Sequence, residues 1–369
     1  MKCNSSKCDG LQHFCHKNVT VENSPMKRSA LHISLMALAV SPTLALADTN
    51  VEVYGRAHLA TYLMDDGEDY SAFNVASNAS RLGFRASHLL DNNLTVMVQL
   101  EGQVDINSNQ NRALTSRNSF LGLGSDWGLV RVGHFDTPSK ALRSQVDLFP
   151  DQLGDLRNLS RNSGVGPDNE LQGFDERFKN SIAYRTPTLN GFQAELHYSA
   201  ETQNNDNAED SNDNDAISGS ISFNAGGLYA AIAHERWNRV DAEDERNVTR
   251  LAASYRMADW RFTGMAQRAT DPSDSVYSLG SSYQLTSKTT LKAQYQWLDG
   301  DDSDFDATQL ALGVNYQYAP ELLFYANVAQ VANDEAQELA PWRQPSTLDQ
   351  TGAPDETARA LSVGAVYSF

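Results

Sequence analysis

The chain has 369 residues, 40% of them hydrophobic, and a formal net charge of −18. A mean hydropathy of −0.48 and the lack of any run of roughly 20 apolar residues exclude a helical membrane span. The acidic balance excludes nucleic acid as a partner, because phosphate contacts need a basic face.

Residues 1–25 hold all three cysteines, Cys3, Cys8 and Cys15, together with His13 and His16. Their spacing fits no C-x-x-C or H-x₃₋₅-H metal pattern, and no metal or cofactor is expected. Met26 restarts a complete targeting signal. Lys27 and Arg28 form its basic start, Ala30 to Val40 its apolar stretch, and Ala45-Leu46-Ala47 an A-x-A site, so cleavage is expected between Ala47 and Asp48. Residues 1–25 therefore read as an extension from a start site set too early, 26–47 as a signal peptide and 48–369 as the mature protein. Residues 1–47 hold five of the 29 basic and two of the 47 acidic residues, leaving 24 against 45 and a formal charge of −21. The mature chain has no cysteine, so in an oxidising compartment it must be stable without disulfides.

From Val51 onward the signal is period-2 alternation in segments of about ten residues, as in membrane-barrel strands. Phe192, Ala194, Leu196 and Tyr198 alternate with Gln193, Glu195, His197 and Ser199. Leu291, Ala293, Tyr295 and Trp297 alternate with Lys292, Gln294 and Gln296, and Leu310, Leu312, Val314, Tyr316 and Tyr318 with polar partners. A soluble sandwich would also alternate. The Gln-, Ser-, Lys- and Arg-rich polar face suits a wet lumen instead, and aromatics at the ends of the apolar face suit interfacial girdles. Seven short connections carry the residues of tight turns: Asp91–Asn93, Ser125–Gly128, Leu189–Gly191, Ala225–Gly227, Ala258–Asp259, Thr286–Lys288 and Ala319–Pro320. Longer polar segments lie between them, among them Glu201–Asn214, Asp299–Asp306 and Asp334–Asp355. Seven turns interleaved with about eight loops imply about sixteen strands, with turns on one side and loops on the other.

Asp136 to Glu176 breaks the pattern for about forty residues, far beyond an ordinary hairpin. It contains Leu142, Val146, Leu148, Phe149, Leu153, Leu156 and Leu159, too apolar to hang in water. Folded into a polar lumen, it would narrow the channel. The last segment places Leu361, Val363, Ala365, Tyr367 and Phe369 on one face.

Along nearly all of its length the mature chain resembles the general diffusion porins of Gram-negative outer membranes. The stretches that carry this are Tyr54-Gly55-Arg56-Ala57, Ser80-Arg81-Leu82-Gly83-Phe84, and Ser119-Phe120-Leu121-Gly122-Leu123 through Trp127-Gly128-Leu129-Val130-Arg131-Val132-Gly133. Asn180-Ser181-Ile182-Ala183-Tyr184, Pro187, Gly191-Phe192 and the terminal Tyr367-Ser368-Phe369 complete the set. The resemblance implies an all-β fold, a 16-stranded antiparallel transmembrane β-barrel with an inward-folded third loop, usually trimeric and located in the outer membrane. It implies lipid, lipopolysaccharide and the barrel-assembly machinery as partners, with Tyr367 and Phe369 as the C-terminal assembly signal. It also implies an acidic turn on the third loop facing a basic ladder on the wall. Asp147-Leu148-Phe149-Pro150-Asp151-Gln152-Leu153-Gly154-Asp155 resembles the turn, which makes Asp147, Asp151 and Asp155 its acids. Asp151 stands where the family often has Glu, and the following Gly pair is reduced to Gly154. Arg56, Arg81, Arg117 and Arg177 stand where the ladder falls; alternation places Arg56 and Arg81 inward, while the fourth strand leaves Arg117 ambiguous.

Opposed carboxylates and guanidiniums across an aqueous gap orient dipolar solutes and disfavour apolar ones. Passive diffusion of ions and small hydrophilic solutes is the function expected. A substrate-selective channel, for a sugar or a dicarboxylate, is the alternative; Tyr54 and Tyr62 share the inward face, without an extended aromatic track. An enzyme is not expected: His58, His88, His134, His197 and His234 adjoin no nucleophile motif, and G-x-S-x-G is absent. Acidic stretches such as Asp299–Asp306 do not fit a calcium-loop spacing and read as solvated loop charge.

Overall fold

Strict alternation leaves every strand one apolar and one polar face, and the chain satisfies both by closing on itself. The computed structural model describes residues 49–90, 92–108, 112–161, 173–202, 214–238, 245–270, 273–343, 348 and 350–369. These belong to one unit, Ala47–Phe369. The extension 1–25, the signal 26–47 and the pair Ala47 and Asp48 lie outside the described residues.

The strands are β1 (Thr49–Asp65), β2 (Ser71–Ser77), β3 (Arg81–Leu89), β4 (Thr95–Gln103), β5 (Ser119–Ser125), β6 (Gly128–Asp136), β7 (Arg177–Arg185), β8 (Phe192–Ser199) and β9 (Ala216–Ala225). They continue as β10 (Leu228–Trp237), β11 (Arg246–Met257), β12 (Trp260–Ala269), β13 (Ser275–Gln284), β14 (Thr289–Asp299), β15 (Ala307–Ala319), β16 (Leu322–Asn333) and β17 (Thr357–Ser368). β2 and β3 are two halves of one strand, since β1 pairs with both, Leu59 opposite Ser77 and Arg56 opposite Arg81. A bulge at Ala79 (φ +52°) separates them. It is held by Asn78 Nδ2 donating to the Tyr62 hydroxyl at 2.6 Å and by His58 N donating to Ser80 Oγ at 2.9 Å. Counted so, the sheet has sixteen antiparallel strands, and β17 returns to pair with β1 from Arg56–Ser368 to Asp65–Arg359.

All seven turns expected from the sequence fall between strands at one end of the barrel. Asn93 and Asn190 take the left-handed backbone such turns need (φ +59° and +52°). At the other end the connections vary in length. Residues 66–70 and 270–274 are connections of five residues each; adjacent strands of matched length need no more chain to reverse direction.

The outward face is apolar, with Val51, Phe73, Leu121, Leu196, Leu279 and Val363 all more than half exposed. Such an outward apolar belt is the pattern of a membrane-spanning barrel. Aromatics gather at its short-turn end: Trp260 stacks on Phe262 at 5.8 Å between centroids, Trp127 on Tyr184 at 6.3 Å, and Tyr367 lies 6.1 Å from Phe369. The inward face carries Gln, Glu, Lys and Arg, together with small residues where a segment of chain packs against it.

Candidate pore constriction

That segment is the forty-residue loop between β6 and β7. Thr137 starts it by capping a helix, α1 (Pro138–Ser144), its side chain accepting from Lys140 N at 3.2 Å with Pro138 in the first turn. A single further helical turn, α2 (Arg157–Ser160), follows. Leu142, Val146 and Leu156 pack on Ala233, Ala252 and Met265 of β10, β11 and β12. Leu148, Phe149 and Leu153 pack with Ala311, Tyr325 and Ala329 of β15 and β16 and with Tyr62 of β1. The loop therefore leaves one wall, lies across the interior and seats on the opposite one.

Polar groups complete the seat. Gln309 Nε2 donates to Gly154 O at 2.9 Å, Leu148 N donates to Gln294 Oε1 at 2.9 Å, and Gln267 Nε2 donates to Ser160 O at 2.9 Å. Lys292 Nζ donates to Leu148 O at 3.1 Å and to Gln152, and lies 4.0 Å from the centre of the Phe149 ring. Where the loop turns back, Asp175 receives Arg250 Nη1 and Nη2 at 3.0 and 3.1 Å and Arg143 Nε at 3.0 Å, all three residues buried. Two guanidiniums outweigh the burial of Asp175 and hold its carboxyl below the usual carboxylate range. Gly154, at φ +88°, has room for no side chain, since a Cβ there would stand 2.4 Å from that of Ala311.

The acids of the turn divide into two kinds. Asp147 is buried, receiving Phe149 N at 2.8 Å and Arg143 Nη1 at 2.9 Å. Burial, then the neighbouring Asp155, push its carboxyl up to about 7 against the pull of Arg143. Asp155 is also buried and receives Asp151 N and Arg157 N, both at 2.8 Å. Both acids brace the turn from beneath. Asp151 stands at the tip (φ +58°) and reaches the wall, its Oδ2 2.6 Å from Arg56 Nη1 of β1 and its Oδ1 2.8 Å from Arg157 Nη2. Burial raises its carboxyl, but Arg157, Arg56, Arg81 and Arg117 outweigh that and hold it well below the usual carboxylate range.

The arginines expected from the sequence converge on this side of the lumen. Arg81 on β3 lies among the charges of Arg117, Arg56, Asp151 and Glu101, and among the described residues it forms no ion pair. Arg117 is not a strand residue: it precedes β5, at the return of the second loop, and its Nε bonds Glu101 Oε1 at 2.7 Å. Three residues of polar return (Arg117, Asn118, Ser119) break the alternation there, which is why the pattern left it ambiguous. Arg177 opens β7 and pairs with Asp136 at 3.1 Å, which Lys140 also reaches at 3.1 Å. Burial pulls the Lys140 ammonium down to about 8, against the attraction of Asp136. Four members of the group escaped the sequence reading, Asp136 among them because it stood only as the first residue of the unpatterned segment. Glu101 had a readable signal, because alternation with Val98 and Leu100 turns it inward. Arg157 and Lys140 lie in the loop, where no periodicity exists to aim them. Two of the histidines are buried in packing roles: His58 Nε2 bonds the Tyr325 hydroxyl at 2.7 Å, and His197 stacks on Phe135 with centroids 4.4 Å apart.

A sixteen-stranded barrel with an apolar belt, aromatic ends and a charged loop across its interior defines an outer-membrane channel. The chain belongs to the Gram-negative porin family, whose description matches residues 34–336. Outer membrane porin protein 32 of Delftia acidovorans is 25% identical over 329 residues, covering 85% of this chain and 92% of that protein. Chitoporin of Vibrio furnissii is 34% identical over 157 residues, 40% of this chain and 39% of that one. Among solved structures, an anion-selective porin from Comamonas acidovorans superposes with a TM-score of 0.78 at 22% identity, covering 87% of this chain and 100% of the other. The trimer form of OmpT from Vibrio cholerae gives 0.62 at 16% identity, with the same coverage. The protein is a multi-stranded porin of the Gram-negative outer membrane, a pore for passive diffusion of ions and small hydrophilic solutes.

Proposed function

We propose that Asp151 and the arginines facing it form the constriction that decides which solutes pass. Asp147 and Asp155 hold the acidic turn in place, and Arg56, Arg81, Arg117 and Arg177 form its basic side. The observation that carries this reading is the Arg56–Asp151 pair at 2.6 Å, which joins the barrel wall to the loop tip. Around the loop tip four arginines (Arg56, Arg81, Arg117 and Arg157) stand against three carboxylates (Glu101, Asp151 and Asp155). The gate is locally positive within a chain of net charge −18. Fields focused in a narrow gap outweigh charge spread over distant loops, so the pore prefers anions; one structural neighbour is itself described as anion-selective. Arg81, the cation without an ion pair, supplies most of that preference.

The test is the reversal potential of single channels in a potassium chloride gradient. Arg81→Ala is expected to lower anion preference and Asp151→Asn to raise it. Equal reversal potentials in wild type and both variants would overturn the constriction while leaving the barrel intact.

The rest of the reading concerns the life of the chain. Cleavage after Ala47 leaves Asp48 as the first mature residue and removes residues 1–25 with the signal. Tyr367 and Phe369 present the C-terminal strand to the barrel-assembly machinery. The barrel then sits among lipid and lipopolysaccharide as a homotrimer, acting as a channel and not as an enzyme. N-terminal sequencing of the outer-membrane form and its mass in mild detergent test these points.

A further inference from the structure

On the short-turn side of the constriction the inner wall carries a second charged group. Arg185 of β7 lies directly opposite Glu195 of β8, and Arg131 of β6 projects from the neighbouring row opposite Ala183. Arg131 Nη2 bonds Glu195 Oε1, and Arg185 Nε stands 3.0 Å from Oε2 of the same carboxylate. The second contact is close but misaligned, so Nε of both arginines is buried without a hydrogen-bond acceptor. An unpaired buried donor is costly, more so on a charged group. Arg131 is also held in place, its guanidinium 4.3 Å from the centre of the Phe135 ring and 5.4 Å from that of Phe120.

These groups line a bay of about 530 Å³ roofed by α1, with Gln193, Ser220, Ser222 and Asn224 along its far wall, Leu142 above and Asp136 at the end nearest the constriction. Its volume is that of a small-molecule site. Of the two carboxylates that line the bay, Glu195 is shared by both guanidiniums and Asp136 is already paired with Arg177 and Lys140, so Arg131 and Arg185 together keep positive charge and spare N–H groups, which suit a carboxylate ligand. The amides and hydroxyls opposite offer donors and acceptors for several hydroxyl groups, and Glu195 retains lone pairs for another. A simple inorganic anion would use only the guanidiniums, and a neutral sugar would leave them unmet. A dicarboxylate would set its second charge against a wall with no cation.

We propose that this bay is a binding subsite for polyhydroxylated carboxylates of the sugar-acid type, adjoining the constriction at Asp136 and reached through it. The proposal rests on the channel reading and gives that channel a resting place for one class of solute. A carboxylate drawn past the constriction pauses under α1 before leaving at the short-turn end.

The probe is sodium gluconate added to single channels in potassium chloride, with acetate and glucose as comparisons. Wild type is expected to show a saturable fall in current with gluconate, at concentrations at least about tenfold below those at which acetate or glucose acts. The double variant Arg131→Gln, Arg185→Gln is expected to need about tenfold or more gluconate, the loss of a paired charged contact; Arg131→Lys, which keeps charge but not the fork, should fall between. Current steps in potassium chloride alone report that each variant has folded, and their absence in wild type would sink the channel reading instead. A fall that never saturates, equal action of acetate, or an unchanged gluconate response in the double variant each overturns the subsite.

Discussion

Two opposed influences meet on the carboxyl of Asp151. Burial favours its protonated form, while Arg157, Arg56, Arg81 and Arg117 favour the anion and prevail. The folded protein binds that proton more weakly than an unfolded chain, whose ordinary value is 3.8. The stability it contributes is thus complete above about pH 3.8 and is lost as the pH falls further. The part of ion preference due to Asp151 is therefore expected to stay constant between pH 8 and pH 5. Titrating the reversal potential of wild type against Asp151→Asn checks this; a step near pH 6 present only in wild type would contradict it. Asp147 has the opposite sign. Its carboxyl is raised to about 7, so the stability from its bound proton is full below pH 3.8 and is lost as pH rises through 7. Both residues were visible in the sequence as acids flanking Phe149-Pro150. Which of them faces the lumen was not, because an irregular loop has no period from which to read direction.

At the scale of elements, the loop is fixed by burial at its middle and by charge at its return. Phe149 is wholly buried against β15 and β16. Phe149→Ala is expected to cost about 3–5 kcal/mol of local packing and to raise single-channel conductance as the loop loosens; an unchanged conductance would count against the loop as the sieve. Arg250→Ala would leave Asp175 with Arg143 alone in a buried site, a loss of about 3–5 kcal/mol for breaking such a pair. It should lower the unfolding temperature, whereas Arg268→Ala, an exposed arginine on the outer face, should leave it nearly unchanged. The apolar residues that seat the loop could be read from the sequence, since seven large side chains in forty residues demand cover. The partners that cover them could not. They are small residues of inward faces, Ala233, Ala252, Ala311 and Ala329, and alanine looks the same whether it faces lipid, water or a neighbour.

For the whole molecule, strand number and direction came from turn chemistry, because Asn, Asp or Gly at five sites, Pro at Pro320 and Ser at Ser287 marked the seven reversals at one end. The bulge at Ala79 left no such mark, and it makes one strand appear as two. The seam was also unreadable, since pairing between the first and last strands is a property of closure and not of either segment. There Gly55 N donates to Phe369 O at 2.9 Å, Phe369 N donates to Gly55 O at 3.1 Å, and the Phe369 ring lies against Gly55. Phe369→Ala keeps the backbone bonds but uncovers the seam. A smaller fraction of compact, heat-modifiable barrel on electrophoresis is expected, and an undiminished fraction would show the ring to be dispensable.

The seat of the third loop also imposes an order in time. Gln152 finds Asn327 175 residues further along the chain, and Asn158 finds Gln309 after 151. Neither partner exists for the loop until the later half of the wall stands, and such distant contacts are the slowest to form. A newly closed barrel is therefore an open pipe first and a sieve afterwards, and the cell's exposure to leakage is set by how quickly one strip of chain finds its place.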